Sequence, residues 1–148
     1  MIKLIFCILL LNISTSVASD KNVSNSINIQ KAWVREPIPG IKNSSAYLII
    51  QNSSNKRLKL ISASSPYFQS VELHSNTHEN GVMKMRKLNY VIILPKKSTE
   101  FKMMSNHLML FGLKDKYKSI KSGDEIPFKL LFEKQNSVEF KAIVKRPK

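Results

Sequence analysis

Beyond residue 26, apolar and polar residues alternate with a period of two over short stretches, each broken by turn-forming residues. Val71 and Leu73 alternate with Ser70, Glu72 and His74, and Leu108 and Leu110 alternate with His107 and Met109. Successive side chains of a strand point to opposite faces, so this period predicts strands with one buried side. Together with β-branched and aromatic enrichment it places strands at 27–34, 45–52, 57–63, 70–75, 82–87, 90–94, 98–103, 107–112, 126–133 and 137–144. Turn signals lie between them: Pro37-Ile38-Pro39-Gly40, Asn52-Ser53-Ser54-Asn55, Glu79-Asn80-Gly81, Ser122-Gly123-Asp124 and Gln135-Asn136-Ser137. The last separates two alternating stretches and reads as a hairpin turn. No stretch has the length and 3.6-residue period of a helix, and no internal repeat is visible. The expectation is one all-β domain over 27–146, an antiparallel sandwich or barrel.

Residues 1–19 follow a different pattern. One positive charge at Lys3 precedes an almost unbroken apolar run from Leu4 to Ile13, and small residues from Ser14 to Ser19 follow. This is the layout of a cleavable signal peptide, with cleavage expected after Ala18 or Ser19. The run is shorter than the roughly 20 residues of a membrane span. Residues 20–26 read as a polar, disordered leader. Cys7, the only cysteine, lies inside the apolar run and should leave with it. The exported chain then has neither thiol nor disulfide, so its chemistry must use other groups.

Charge narrows the partners. The formal net charge is +14, or +13 once Lys3 is removed. Inside a cell that excess would point to nucleic acid, but an exported chain without a basic-aromatic motif or zinc-finger spacing argues against it. The lysines fall mostly on alternate strand positions, which makes a solvated basic face the plain reading. A peripheral attraction to an anionic membrane surface or to an acidic partner is the sharper one.

Candidate chemistry is concentrated in one segment. Met83, Met85, Met103, Met104 and Met109, with His74, His78 and His107, all fall between residues 74 and 109. Methionine clusters usually fill cores, so strand phase must decide. His74 lies on the face opposite Val71 and Leu73, and His107 and Met109 lie on the face opposite Leu108 and Leu110. Met83 and Met85 likewise share a face across from Lys84 and Arg86. A thioether is a soft donor that favours copper(I), whereas imidazole suits copper in either oxidation state. Two imidazoles and two thioethers, without thiolate or carboxylate, point to copper(I). A blue-copper carrier or a structural zinc site would call for cysteine.

The spacing of His74, Met85, His107 and Met109 resembles the copper motif of the periplasmic copper chaperones called PCuAC. Ala32-Trp33-Val34-Arg35 with Pro39-Gly40 and Ala46-Tyr47-Leu48 resemble the family's opening block. Val71-Glu72-Leu73-His74, Gly81-Val82-Met83-Lys84-Met85 and His107-Leu108-Met109-Leu110-Phe111-Gly112-Leu113 resemble its centre, and Gly123-Asp124-Glu125-Ile126-Pro127 with Leu130-Leu131-Phe132 its end. The resemblance covers about residues 28–140. It implies a cupredoxin-like antiparallel Greek-key β-sandwich holding one Cu(I) through His74, Met85, His107 and Met109. It also implies delivery by ligand exchange to a copper-accepting protein, either a Sco-type thiol protein or the copper subunit of cytochrome oxidase, from a monomer in the periplasm. Family members often carry a further methionine two residues after the first histidine, where this chain has Asn76. Some carry a histidine- and methionine-rich tail, and none is expected here.

The remaining residues receive plainer expectations. Met83 has the phase to substitute for Met85, and Met83 and His78 are the candidates for additional metal binding, although His78 is expected in an exposed loop. Met103 and Met104 are expected to pack at an edge or in the core, Trp33 to anchor the core, and Arg35 to lie at the surface. No hydrolase elbow or zinc-protease motif is present, so an enzyme is not expected. Two rivals stand beside delivery: copper storage or scavenging with the same ligands, and a β-sandwich binding module that uses its basic face without metal.

Overall fold

The computed structural model describes residues 26–117 and 120–146; the expected signal peptide and most of the leader lie outside them. Ten strands follow in order: β1 (Ile27–Arg35), β2 (Ser44–Asn52), β3 (Leu58–Ser64), β4 (Phe68–Glu79), β5 (Val82–Lys87), β6 (Val91–Ile93), β7 (Ser98–Phe101), β8 (His107–Leu113), β9 (Glu125–Phe132) and β10 (Ser137–Lys145). All ten expected strands are present, most within a residue or two of their expected ends. The main exception is β4, which runs on to Glu79 and so carries His78 on a strand instead of in a loop. Asn80 and Gly81, both with positive φ, close the β4–β5 hairpin, as a two-residue turn of this type requires.

Seven strands form a closed ring in the order β4-β8-β2-β1-β10-β9-β3, and a single bridge between Ala63 and Val71 closes it at β3–β4. The other three strands attach to this ring, β5 beside β4, β6 beside β3, and β7 beside β2. The all-β, sandwich-like expectation holds. The wholly antiparallel one does not, because β1 and β10 run parallel, with Trp33 to Arg35 opposite Ile143 to Lys145. A parallel pair cannot be made by a hairpin; here the first and last described strands meet only after the rest of the chain has gone round the ring.

The interior follows from the alternation. Leu48 and Ile50 of β2, Leu108 and Leu110 of β8, Ile126, Phe128, Leu130 and Phe132 of β9, and Val144 of β10 are buried together with Leu60 and Ile93. Each such side chain contributes about 1.5–3 kcal/mol on leaving water. Trp33 is not among them. The β1–β2 register shifts between Gln30 and Trp33, where Lys31 takes a φ of 51°. That bulge reverses the phase of the strand: Ile27 points inward before it and Val34 after it, which leaves Trp33 on the outer face. There it packs against Tyr47, with ring centroids 4.5 Å apart and the planes tilted by 34°.

A second irregularity positions the site. β7 and β8 lie end to end along the same edge of β2, with Leu48 opposite Phe101 and Ala46 opposite Leu108. Only Tyr47 separates those partners on β2, whereas six residues separate them on the other side. The excess forms an excursion, Lys102 to Asn106, pinched at its base by the Lys102 amide donating to the Asn106 carbonyl at 2.8 Å.

Candidate metal centre

The outer face of β4, β8 and β5 gathers most of the expected ligands. His74 stands directly opposite His107 across the β4–β8 ladder, and Glu72 stands opposite Met109. On the other side of β4, Asn76 faces Met85 and His78 faces Met83. The two imidazoles therefore occupy one rung, with Met109 a rung to one side and Met85 on the neighbouring edge strand. Their ring centroids are 5.8 Å apart. Although they point away from the barrel interior, both are buried, His107 to 4% exposure and His74 to 9%. A row of rings shields them: Tyr47 lies 6.5 Å from His107, and Phe111 lies 6.1 Å from His74.

Hydrogen bonds assign one nitrogen of each ring. His107 Nδ1 lies 3.0 Å from the Ser105 carbonyl oxygen; a carbonyl only accepts, so Nδ1 carries the proton and Nε2 the lone pair. His74 Nε2 lies 2.8 Å from a Glu72 carboxylate oxygen, so here Nε2 carries the proton. His74 Nδ1 is then the lone-pair nitrogen, and it is buried with no hydrogen-bond partner among the described residues. Leaving such an atom unsatisfied costs about 1–3 kcal/mol, an arrangement that an electron-pair acceptor at Nδ1 would relieve. Glu72 is itself held by Lys87 at 2.7 Å. The His74 ring first, and then the Lys87 ammonium, keep its carboxyl below the ordinary value of 4.5. An acceptor behind a ligating imidazole fixes its tautomer and raises its basicity, and both histidines have one.

Met85, His107 and Met109 line a single cleft of about 400 Å³, together with Asn76, Tyr47 and Met104. His74, its partner on the rung, does not line the cleft. Arg35, at the surface as expected, lies on the cleft's rim. Among the described residues no three side chains of the His, Cys, Asp and Glu types are grouped so that they could hold a metal ion, and the soft side chains that share the cleft with His107 are the thioethers of Met85, Met104 and Met109. Such a set is neutral and soft, suited to copper(I) and poorly suited to zinc, magnesium or calcium.

Several expectations change. Met103 and Met104 are not packed at an edge or in the core: they sit on the excursion at 53% and 68% exposure. Met104 enters the cleft, and Met103 lies on the other side of Tyr47, near Trp33. His78 and Met83 form a cross-strand pair on the ligand face, one rung beyond Asn76 and Met85, and both are exposed. Two supporting groups escaped sequence reasoning. Glu72 was legible as a same-face neighbour of His74, two residues before it; the Ser105 carbonyl left no signal in the side-chain pattern.

Known proteins share this fold. The LpqE-like family model matches residues 27–144. A relative from Rickettsia prowazekii (strain Madrid E), protein RP573, is 28% identical over 134 aligned residues, covering 80% of this chain and 72% of its own. The copper-bound PCuAC domain from PmoF2 superposes with a TM-score of 0.67 at 24% identity, covering 82% of this chain and 94% of that domain. The solution structure of CuI-DR1885 from Deinococcus radiodurans superposes with a TM-score of 0.66 at 25% identity, covering 85% of each chain. The chain belongs to the LpqE-like family, and its barrel is the fold of the PCuAC copper-binding domains.

Proposed function

We propose that this protein is an exported carrier of copper(I) that holds one ion through His74, Met85, His107 and Met109 and passes it to a partner by ligand exchange. The observation that carries the reading is the rung of two buried imidazoles. Each has one nitrogen tied to an acceptor, which leaves the other with its lone pair, and the His107 ring lines the cleft shared by Met85 and Met109. The copper bound by the PCuAC domain of PmoF2 and the copper(I) of CuI-DR1885 support the choice of metal. Residues 1–19 support export.

Copper is the cargo here, and the chain's own groups define how it is held and released. His74 and His107 are fixed by Glu72 and Ser105 and form the inner, preorganised half of the site. Met85, 49% exposed on an edge strand, and Met109 form the outer half. A thioether carries neither charge nor proton, so incoming thiolates can replace it without acid catalysis. An imidazole must be neutral to bind, so retention should weaken on acidification. A Sco-type thiol protein or the copper subunit of an oxidase has the chemistry to receive the ion, and a copper store would use the same ligands. The domain over 27–146 acts alone as a monomer, with Met83 and His78 as an accessory pair for a second soft ion.

The test is a copper(I) titration of the protein against a competing chelator, beside His74→Ala and Met109→Ala. One equivalent bound tightly and weakened by both substitutions is the expected result. A folded protein that does not compete for copper(I), or that prefers copper(II), would overturn the assignment and leave the basic-face binding module as the better reading.

A further inference from the structure

We infer that Met104 is a third thioether donor of this site, interchangeable with Met85. The inference rests on the copper(I) reading above and extends its ligand set. Three observations carry it.

The first is placement. The excursion that carries Met104 is bonded to both halves of the site. The Ser105 carbonyl accepts from the Asn76 amide at 3.3 Å and from His107 Nδ1 at 3.0 Å. Asn76 is the cross-strand partner of Met85. One carbonyl thus locks the residue after Met104 to the strand beside Met85 and to the ring of His107, and Met104 lines the same cleft as Met85, His107 and Met109.

The second is exposure. A methionine that fills a core gap is buried, whereas Met104 is 68% exposed. The candidate donors form a graded series from the barrel wall outward: His107 almost fully buried, Met109 half-buried, Met85 at 49% and Met104 outermost.

The third is backbone conformation. Met104 has a φ of 62°, in the left-handed region. The other non-glycine residues with positive φ among the described ones are Lys31, Asn80, Lys96 and Lys134. All four are polar, and asparagine and glycine are what such positions ordinarily favour. An exposed, apolar, unbranched side chain there has neither a packing reason nor a conformational one. A soft donor at the mouth of a soft-donor cleft accounts for it.

With two outer thioethers on separate elements, β5 and the excursion, either sulfur can hold the ion while the other exchanges. No bond other than the metal–sulfur bonds changes and no electron moves. Met104→Leu keeps the side chain's size and removes the sulfur. It should lower copper(I) affinity several-fold in competition with a chelator, and Met85→Leu should do the same. The double variant should lose more than the product of the two single losses, because each sulfur covers for the other. Methyl NMR of the methionines, with silver(I) as a redox-stable probe, should move the Met104 signal along with those of Met85 and Met109, while Met103 stays.

An unmoved Met104 methyl would overturn the inference, as would Met104→Leu matching its parent in both the wild-type and Met85→Leu backgrounds. Either result leaves the four-ligand reading intact if Met85 and Met109 still respond. If no methionine methyl moves, both fail.

Discussion

Replacing Met104 with glycine should raise stability and lower copper retention in the same molecule. A non-glycine residue in the left-handed region costs roughly 1–2 kcal/mol, and Met104, at a φ of 62°, lies within it. Glycine removes that cost but loses more backbone freedom on folding, about 0.5–1 kcal/mol. The side chain is 68% exposed, so its deletion forfeits little buried surface. The balance favours the variant by roughly 0.5–1 kcal/mol, which for a domain of this size is an increase of about 2–5 °C in the unfolding midpoint. Thermal melts followed by circular dichroism, on apo protein at matched concentration, measure it. Met104→Leu is the control, since it keeps the Cβ and therefore the strain, and its midpoint should match the parent's. Met104→Gly should then release copper(I) more readily to a chelator. A midpoint at or below that of Met104→Leu would refute the account, because the methionine would be contributing packing that the exposed position does not reveal.

Other expectations follow from the groups around the site. Glu72→Gln should lower copper(I) affinity by roughly 10–100-fold with the fold intact, because the carboxylate behind His74 is a supporting group of the kind whose loss has that effect; chelator competition reads it, and unchanged affinity would mean that His74 needs no orientation. Gly112 has a φ of 64°, so Gly112→Ala should cost about 1–2 kcal/mol in urea unfolding. The Gln69 side chain that a Cβ would strike is exposed and can swing aside, so a much larger loss would show that it cannot. Arg146 bonds to Glu36 and holds its carboxyl below the ordinary 4.5. A lowered folded value means that this pair's stabilisation is complete above the unfolded value and is lost as pH falls through the folded one. Arg146→Ala should therefore flatten the acid limb of the stability profile, and identical limbs would count against the pair.

Strand existence was legible because nearly every strand has a buried side whose apolar residues recur every second position; β9, with Ile126, Phe128, Leu130 and Phe132 all buried, is the clearest. The same period placed His107 and Met109 on the outer face, and the resemblance tied them to His74 and Met85. What alternation could not supply were its own interruptions. The bulge at Lys31 turned Trp33 outward, and the excursion at Lys102 to Asn106 exposed Met103 and Met104. A bulge adds residues to one strand only, so it is visible in the pairing of two strands and invisible in either strand read singly. Closure of the ring by a parallel β1–β10 pair is a long-range property of the same kind. The length of β4 was underestimated for another reason: Asn76, Thr77 and His78 are polar, and β4 continues there because β5 pairs with it, not because a core demands it.

The division of the site between regular and irregular backbone bears on how a carrier can hold an ion firmly and still give it up. The imidazoles stand on paired rungs of the ring, where neighbouring strands and a hydrogen-bonded acceptor leave each ring little freedom. Two of the sulfurs stand elsewhere, Met85 on β5, which among the described residues pairs with β4 alone, and Met104 on an excursion tied down near Ser105. Such elements carry few buried apolar contacts and belong to the least stable part of a fold, so on the proposed reading the outer donors can move at little cost while the inner ones stay. The edge of β5 away from β4, unpaired among the described residues, also carries Lys84, Arg86 and Lys87. Lys84 and Arg86 pair with Glu79, and Lys87 pairs with Glu72; basic side chains on an edge discourage pairing with another strand. On the proposed reading, a partner's thiolates meet the exposed sulfurs of Met85 and Met104 first, and these are the donors that leave at least cost.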